Sequence, residues 1–277
     1  MSTAGDTAGA AASADPGVTP PATEPDGSPG LERGEKTARS TMVYAAATGL
    51  SRVTGLGREV VAASYFGTSG RMSAFTIAFQ IPNLLRALFA DSALQGAFVP
   101  VFTDLLESGR RREAMALASS LLSLLSLALG GLVALLLLGA PVVIPLFAPG
   151  FSGDPALRDL TVGLAQVMLP TVLLFAVSGL VAGMLNSLGH FAAPALAPVA
   201  WNAVIIVALI ATGGLVPGHD HIYIYAFAVL VATVVQFVLP LPWLRTVDAH
   251  FKVSFDWRNE HVKRVLKLML PVTLTLG

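Results

Sequence analysis

The chain lacks cysteine and contains few charged residues. None of its 277 residues is Cys, and only 12% are Asp, Glu, Lys or Arg. Without cysteine, disulfides, thiolate catalysis and cysteine metal sites are excluded. A soluble globular domain carries about 25% charged residues. The low fraction here, together with 54% hydrophobic residues, indicates a polytopic membrane protein.

The sequence also offers little evidence for a nucleic-acid or metal partner. Lys and Arg together number 17, as do Asp and Glu, and this balance gives no reason to expect nucleic acid. The five histidines show no HExxH or comparable ligand spacing. His219 and His221 are close enough in sequence to contact one metal ion, but a solvated loop is the preferred interpretation. We expect no metal, no cofactor and no catalytic residue.

Residues 1–40 differ in composition from the rest of the chain. They are rich in Ala, Gly, Pro, Ser, Thr and acidic residues and have no apolar period, which predicts a disordered cytoplasmic tail. The tail lacks the basic-then-apolar pattern of a cleavable signal peptide. We therefore expect the first apolar span to act as an uncleaved insertion signal.

Six complete apolar segments follow, each near or above the ~20 residues that cross a bilayer. They are residues 42–66, 72–103, 114–147, 159–187, 192–214 and 221–247. We predict an all-α membrane helix bundle, with a six-helix lobe over residues 41–250 and a cytoplasmic loop and the start of a seventh span over residues 251–277. Kinks or unwound turns are expected at the prolines within these segments, namely Pro82, Pro100, Pro141, Pro145 and Pro170.

Loop charges predict the orientation in the membrane. With the N-terminus inside, most Lys and Arg residues fall in inner segments, including Arg110, Arg111 and Arg112, whereas the outer loops hold Arg71 and Arg158. Cytoplasmic loops carry an excess of Lys and Arg. We therefore predict a multi-pass membrane protein with a cytoplasmic N-terminus.

Charged residues within the first two spans are the candidates for function. They are Arg52, Arg58 and Glu59 in the first span and Arg86 and Asp91 in the second. A charge near the bilayer midplane costs roughly 2.5–3.5 kcal/mol, so such residues usually face a bundle interior or a water-filled cavity. At 1.5 Å per residue, Arg52 lies about 15 Å along the helix from Met42, and Arg86 about 21 Å from Met72. Both depths are near mid-membrane.

The arginines of these spans outnumber the carboxylates. Glu59 and Asp91 can each neutralise one arginine, which leaves one positive charge over and predicts a site for an anion. Arg58 lies about 120° round the helix from Arg52. Gly55 and Gly57 remove side-chain bulk beside these charges, so that either a neighbouring helix or a ligand can approach the backbone.

Asn83 is a further candidate for the site. It lies three residues before Arg86, so the two side chains are expected on one helix face. Two interpretations remain open: Asn83 caps a carbonyl that Pro82 leaves unbonded, or it binds substrate together with Arg86.

Several short segments, taken together, match a known family. They are Ser51-Arg52-Val53 with Gly55 and Arg58-Glu59, then Ile81-Pro82-Asn83-Leu84-Leu85-Arg86, Phe98-Val99-Pro100, Ala148-Pro149-Gly150-Phe151, and Leu185-Asn186 followed by Phe191, Pro194, Pro198 and Asn202. In order and spacing they closely resemble the MurJ (MviN) lipid II flippases of the multidrug/oligosaccharidyl-lipid/polysaccharide exporter superfamily. The resemblance covers Met42 to Gly277.

The resemblance implies a function. It implies a flippase that moves lipid II, the lipid-linked peptidoglycan precursor, from the inner to the outer leaflet by alternating access for cell-wall synthesis. It also implies that Arg52, Arg58 and Arg86 line a central cationic cavity, with Glu59 and Asn83 beside them in the substrate site. The three arginines are consistent with such a substrate, because a diphosphate needs paired positive charge. The expected partners are lipid II, membrane lipids and cell-wall synthesis proteins.

The sequence departs from the family in two respects. Ser73 stands where an acidic residue is common, which puts a gating ion pair at that position in doubt. Family members have two lobes, and the chain resembles the N-terminal one, so we expect a fragment of a longer flippase. Transporters of this kind bind substrate between two halves.

Alternative functions fit the sequence less well than a flippase does. An exporter of another undecaprenyl-linked oligosaccharide or a multidrug antiporter would share the fold, although the arginines favour a diphosphate lipid over a cationic drug. A membrane enzyme would need clustered carboxylates, and Glu59 and Asp91 lie on different helices. A non-transporting scaffold for cell-wall assembly would leave the buried arginines unexplained.

Overall fold

The computed structural model describes residues 28–88, 94–151, 153–213, 220–246 and 251–276. The chain divides into two compact units, Met1–Ala38 and Arg39–Gly277. Of the first unit, the described part is the beginning of a helix. The features discussed below belong to the second unit.

Within the described ranges the chain forms ten α-helices and no strand. They are α1 (Ser28–Phe66), α2 (Gly70–Arg86), α3 (Leu94–Glu107), α4 (Arg111–Phe147), α5 (Pro155–Met168), α6 (Thr171–Ser187), α7 (Ala192–Thr212), α8 (His221–Val238), α9 (Leu241–Thr246) and α10 (Glu260–Leu276). A short 3-10 turn, Pro149–Phe151, follows α4. The predicted all-α class is confirmed for this part of the chain.

Four stretches of the described residues are long and apolar enough to cross a membrane. They are Arg111–Phe147, Pro155–Ser187, Ala192–Thr212 and His221–Arg245. The second stretch joins α5 to α6, and the fourth joins α8 to α9. The predicted segment 42–66 lies within α1, and the predicted segment 72–103 covers most of α2 and α3. The count of six complete spans and the start of a seventh stays a prediction.

Helix α1 begins earlier than predicted. It starts at Ser28, whereas the sequence predicted a disordered tail as far as residue 40. The segment before Ser40 contains Glu, Lys, Arg and Ala, which have high helix propensity, and this explains why a helix can form without an apolar period. The rest of the predicted tail, residues 1–27, lies outside the described residues.

Four of the five prolines lie inside continuous helices, so the unwound turns predicted there are not found, and the alternative, a kink, stays a prediction. Helices α2, α3 and α4 continue through Pro82, Pro100, Pro141 and Pro145. At Pro170 the chain does make a turn, between α5 and α6. A proline removes a single helix hydrogen bond, and packing against neighbouring helices compensates for that loss. In the second predicted segment α2 ends at Arg86 and α3 begins at Leu94, and residues 89–93, among them Asp91, lie outside the described residues.

Aromatic rings fill the bundle where α4 ends, at what we call the Phe147 end. The rings of Phe75 and Tyr225 stack with centroids 4.0 Å apart, and Phe66 stacks on Tyr225 at 5.8 Å. Buried residues of α5, including Leu164 and Met168, belong to the same cluster. The Phe147 end of the bundle is therefore closely packed.

A second cluster fills the opposite end, which we call the Arg111 end. Phe98 and Phe102 of α3 are fully buried there, with ring centroids 5.0 Å apart. They pack in one cluster with buried residues of α4 and α6 and with Val262 and Val265 of α10. Helix α10 is thus fastened to α3 and α4 by apolar contacts.

The connector that precedes α10 is bonded to three serines of α4, Ser119, Ser120 and Ser123, which we call the serine row. The backbone N–H of Lys252 donates to Ser119 Oγ at 3.4 Å, and that of Ser254 donates to Ser123 Oγ at 3.1 Å. Ser120 Oγ donates to Ser254 Oγ at 3.1 Å. Side-chain hydroxyls therefore satisfy two backbone donors that no strand or helix satisfies.

Candidate functional site

A cavity of about 840 Å³ lies towards the Arg111 end of the bundle. Its walls are formed by α1, α2, α6, α7 and the end of α8. Tyr44 comes from the early part of α1, Asn186 from the end of α6, Pro194 from the start of α7 and Pro240 from just after α8. The antiparallel course of these helices brings all four residues to the same end.

Two of the three predicted arginines meet in this cavity. Arg52 on α1 and Arg86 on α2 both line it. Arg52 is exposed to the cavity and has no hydrogen-bond or ion-pair partner among the residues that the structure describes. No carboxylate among the described residues pairs with Arg52. The cavity therefore carries a positive charge at this residue.

Arg86 is held by a neutral side chain and an aromatic ring. Asn83 Oδ1 accepts hydrogen bonds from Arg86 Nε at 3.2 Å and from Nη2 at 3.0 Å. The guanidinium carbon lies 5.4 Å from the centre of the Phe175 ring on α6. The predicted placement of Asn83 and Arg86 on one helix face is confirmed, and the two interpretations of Asn83 stay open. Both contacts orient the guanidinium without neutralising its charge.

The structure places Arg58 and Glu59 outside the cavity lining. Arg58 forms an ion pair with the adjacent Glu59, and its guanidinium carbon lies 5.0 Å from the centre of the Trp201 ring on α7. Its side chain is only 17% exposed. Because Arg58 is on a different face of α1 from Arg52, it contacts α7 instead of the cavity.

Gly55 and Gly57 allow a neighbouring helix to approach α1. A Cβ atom added to Gly55 would lie 3.7 Å from Asn202 Nδ2, and one added to Gly57 would lie 3.7 Å from Ile206 Cδ1. Asn202 is buried and donates to Ser51 O at 3.4 Å and to Pro198 O at 3.1 Å. Helix α7 thus occupies the space beside these glycines and holds the α1 backbone next to Arg52.

Sequence reasoning missed the polar residues that α6 and α8 contribute. Ser178, Asn186 and Gln236 line the cavity with the arginines. Ser178 stands in a helix that is otherwise mostly apolar, and an isolated polar residue in a membrane helix was a signal that could have identified it. Asn186 entered the sequence analysis only through the family resemblance.

A separate set of charges joins the α3–α4 turn to α10 outside the cavity. Arg110 donates to Glu113 from Nε at 2.8 Å and from Nη2 at 2.5 Å. His261 Nε2 lies 3.2 Å from Glu113 Oε2. Among the described residues, no group of three His, Asp or Glu side chains could hold a metal ion.

Comparison with sequence families and curated proteins gives a consistent result. A family model described as lipid II flippase MurJ matches residues 62–277. The chain is 36% identical over 245 residues to the lipid II flippase MurJ of Burkholderia cenocepacia, covering 86% of the chain and 47% of that protein. It is 30% identical over 239 residues to a probable lipid II flippase MurJ of Rickettsia prowazekii, covering 86% of the chain and 46% of that protein.

Solved structures share the fold. A structure titled lipid II flippase MurJ, inward closed conformation, matches with a TM-score of 0.69 at 26% identity, covering 85% of the chain and 47% of that protein. A MATE transporter in complex with MaD3S also gives a TM-score of 0.69, at 20% identity, over 87% of the chain and 53% of the transporter. The chain therefore spans about half the length of the proteins it matches.

Proposed function

This chain belongs to the lipid II flippase MurJ family, and from that premise we propose that it forms the N-terminal lobe of a flippase. The proposed activity moves lipid II from the inner to the outer leaflet by alternating access, for cell-wall synthesis. The observation that supports it most strongly is the placement of Arg52 and Arg86, from two helices, on one cavity in a chain with few charged residues.

The chemistry of this cavity suits a diphosphate. Hydrogen bonds from arginine to phosphate oxygens are charge-assisted and about twice as strong as neutral ones. Arg52 has no carboxylate partner among the described residues, and Asn83 Oδ1 orients the Arg86 guanidinium by accepting two hydrogen bonds from it. A lipid can place its diphosphate between these two residues while its hydrocarbon tail stays in the bilayer.

The proposed orientation places the cavity on the cytoplasmic side. Arg110, Arg111, Arg112 and Lys252 lie at the Arg111 end, and positive charge marks the cytoplasmic ends of membrane helices. At the Phe147 end, the stacked rings of the aromatic cluster fill the bundle. A headgroup would therefore enter from the cytoplasm, and its release on the other side would require a second conformation.

The proposed topology has six crossings and the start of a seventh. Helices α1, α4 and α7 each cross once, α2 with α3 forms a divided crossing, and α5 with α6 and α8 with α9 form two more. Helix α10 begins the seventh. In transporters built from two repeats the substrate binds between the halves, so we propose that the cavity is one wall of the complete site.

The experiment that tests this function substitutes the two cavity arginines in the complete gene. We expect Arg52→Ala and Arg86→Ala to abolish rescue of bacteria depleted of their lipid II flippase, because the cavity would lose the charge that holds the diphosphate. Arg158→Ala is the control, since Arg158 pairs with Asp159 at 3.7 Å and does not line the cavity. All three variants should insert in the membrane at normal levels.

Two results would contradict the proposal or redirect it. Normal growth of both arginine variants would remove the case for an anion site in this cavity. Rescue of cells that lack the flippase for another undecaprenyl-linked oligosaccharide, without rescue of lipid II transport, would favour an exporter of that oligosaccharide. The same cationic cavity would serve either lipid, so both strains should be tested.

A further inference from the structure

Two buried polar atoms in the cavity have no hydrogen-bond partner among the described residues. They are Ser178 Oγ and Asn186 Oδ1, both on α6. Ser178 is 7% exposed, and both residues line the cavity with Arg52 and Arg86. Nearly all buried polar side chains in folded proteins are hydrogen-bonded, so each exception requires an explanation.

Ser178 differs from other hydroxyl residues in the helices of this chain. Several of them donate to the carbonyl four residues earlier, including Thr161, Ser187, Thr212 and Thr233. The same bond within α6 is open to Ser178 by its position in the helix. Its hydroxyl nevertheless has no partner among the described residues and lies on the cavity wall, where a ligand can supply one.

Asn186 differs in the same way from the other asparagines of this region. Asn202 donates to two carbonyl oxygens, and Asn83 accepts from Arg86. Asn186 Oδ1 has no such partner in the described part of the chain. A side-chain amide offers both donors and an acceptor, which suits a neutral amide or hydroxyl group of a ligand.

The two unbonded groups lie along α6 in one direction from the arginines. Arg86 contacts Phe175, and Ser178 follows Phe175 by three residues, about 4.5 Å along the helix axis. Asn186 is eight residues further, about 12 Å beyond Ser178. The cavity therefore has a cationic part at Arg52 and Arg86 and a neutral polar part that extends towards the Arg111 end.

We infer that Ser178 and Asn186 form a neutral subsite that binds the sugar portion of the headgroup, next to the diphosphate held by the arginines. This inference rests on the proposed function. A hydroxyl and an amide match the hydroxyl and N-acyl groups of an amino sugar, and they give no charge with which to bind phosphate. A site built to hydrogen-bond such groups rejects a ligand that lacks them, because its own polar atoms stay unpaired.

Binding of two lipids that share the diphosphate and the hydrocarbon tail, of which only one carries the sugar and peptide, tests the inference. The purified product of the complete gene, in lipid nanodiscs, is titrated with lipid II and with undecaprenyl diphosphate, which lacks the sugar and peptide. We expect Ser178→Ala and Asn186→Leu each to weaken lipid II binding about fivefold, as the loss of a neutral hydrogen bond does. Neither variant should change the affinity for undecaprenyl diphosphate.

Thermal unfolding separates this role from a structural one. Removing an unbonded polar group should leave the melting temperature of the ligand-free protein unchanged or raise it. Ser187→Ala is the matched control on the same helix, because Ser187 Oγ donates to Gly183 O and accepts from Thr103 Oγ1. That control should lower the melting temperature and leave the affinity for both lipids unchanged.

The outcomes distinguish the subsite from the proposed function. An equal loss of affinity for both lipids, or no loss for either, in the Ser178 and Asn186 variants would overturn the subsite. Arg52→Ala is titrated in parallel and should weaken the binding of both lipids. If it weakens neither, the proposed function fails, whatever the Ser178 and Asn186 variants do.

Discussion

The side-chain oxygen of Asn83 accepts two hydrogen bonds from Arg86, from Nε at 3.2 Å and from Nη2 at 3.0 Å. The two residues are one helical turn apart on α2, and Phe175 of α6 lies against the guanidinium. Asn83 thus fixes the direction of a cation without adding a negative charge. The role of Asn83 is that of a positioning residue for Arg86.

This relationship predicts different effects for two substitutions at Asn83. Asn83→Asp places a carboxylate against Arg86, so we expect lipid II binding to fall about tenfold or more, as for a lost hydrogen bond to a charged group. Asn83→Ala leaves Arg86 charged but less well oriented and should cost less. Dissociation constants for lipid II, measured on both variants, test whether Asn83→Asp has the larger effect. A greater loss of affinity in Asn83→Ala would contradict the prediction.

Arg58 is expected to stabilise the fold and not to bind substrate. A desolvated cation–π contact contributes about 2 kcal/mol, so Arg58→Ala should lower the free energy of unfolding by about that amount through loss of the Trp201 contact. A double-mutant cycle with Trp201→Leu should show a coupling of about 2 kcal/mol. The same cycle made with Arg52→Ala should show none.

A different pair of results would show that Arg58 contacts the substrate. If Arg58→Ala weakens lipid II binding as strongly as Arg52→Ala and leaves the unfolding free energy unchanged, Arg58 contacts the substrate. In that case the sequence prediction for Arg58 would hold, in a conformation that differs from this one.

The serine row is expected to protect the connector before α10 from exchange with solvent. In the variant Ser119→Ala/Ser123→Ala, the amides of Lys252 and Ser254 lose their acceptors, and their hydrogen exchange should accelerate about fivefold. Ser64→Ala is the control, because Ser64 Oγ donates to Val61 O on α1, far from the connector in sequence. Unchanged exchange at Lys252 and Ser254 would show that the serines do not hold the connector.

The basic α3–α4 turn is expected to set the topology of the helices on either side. Replacing Arg110, Arg111 and Arg112 by Gln removes positive charge from one end of α4, so some molecules should insert with this turn on the outside. The chain has no cysteine, so a single Ser108→Cys substitution can report the location through a membrane-impermeant thiol reagent. Replacing Arg71 and Arg158 by Gln should leave the labelling unchanged.

The long apolar helices were predictable because composition alone determines burial in lipid. The segment 114–147 corresponds to Arg111–Phe147, and 192–214 corresponds to Ala192–Thr212. The helical start at Ser28 and the end of α2 at Arg86 were not predicted. Both depend on local backbone preference and packing, which an apolar period does not record.

The candidate site was predictable only in part. Arg52 and Arg86 could be identified because they are charged residues in apolar spans. A charge in a membrane helix costs free energy, so such residues usually have a function. The angle between Arg52 and Arg58 on the helix was known from the sequence, but the ring that Arg58 contacts comes from Trp201, which is distant in the chain. Phe175 and Ser178 likewise reach the cavity through tertiary packing that spacing does not reveal.

The hydrogen bonds between the connector and α4 also fix the number of residues that the connector can have. Ser119 and Ser123 are separated by about 6 Å along α4, and the two residues from Lys252 to Ser254 span about 7 Å when extended, so an extended connector matches the spacing of the two serines. Loops commonly accept insertions and deletions. Between Lys252 and Ser254, however, one residue more or fewer would shift the register against α4 by about 3.3 Å and separate a donor from its acceptor.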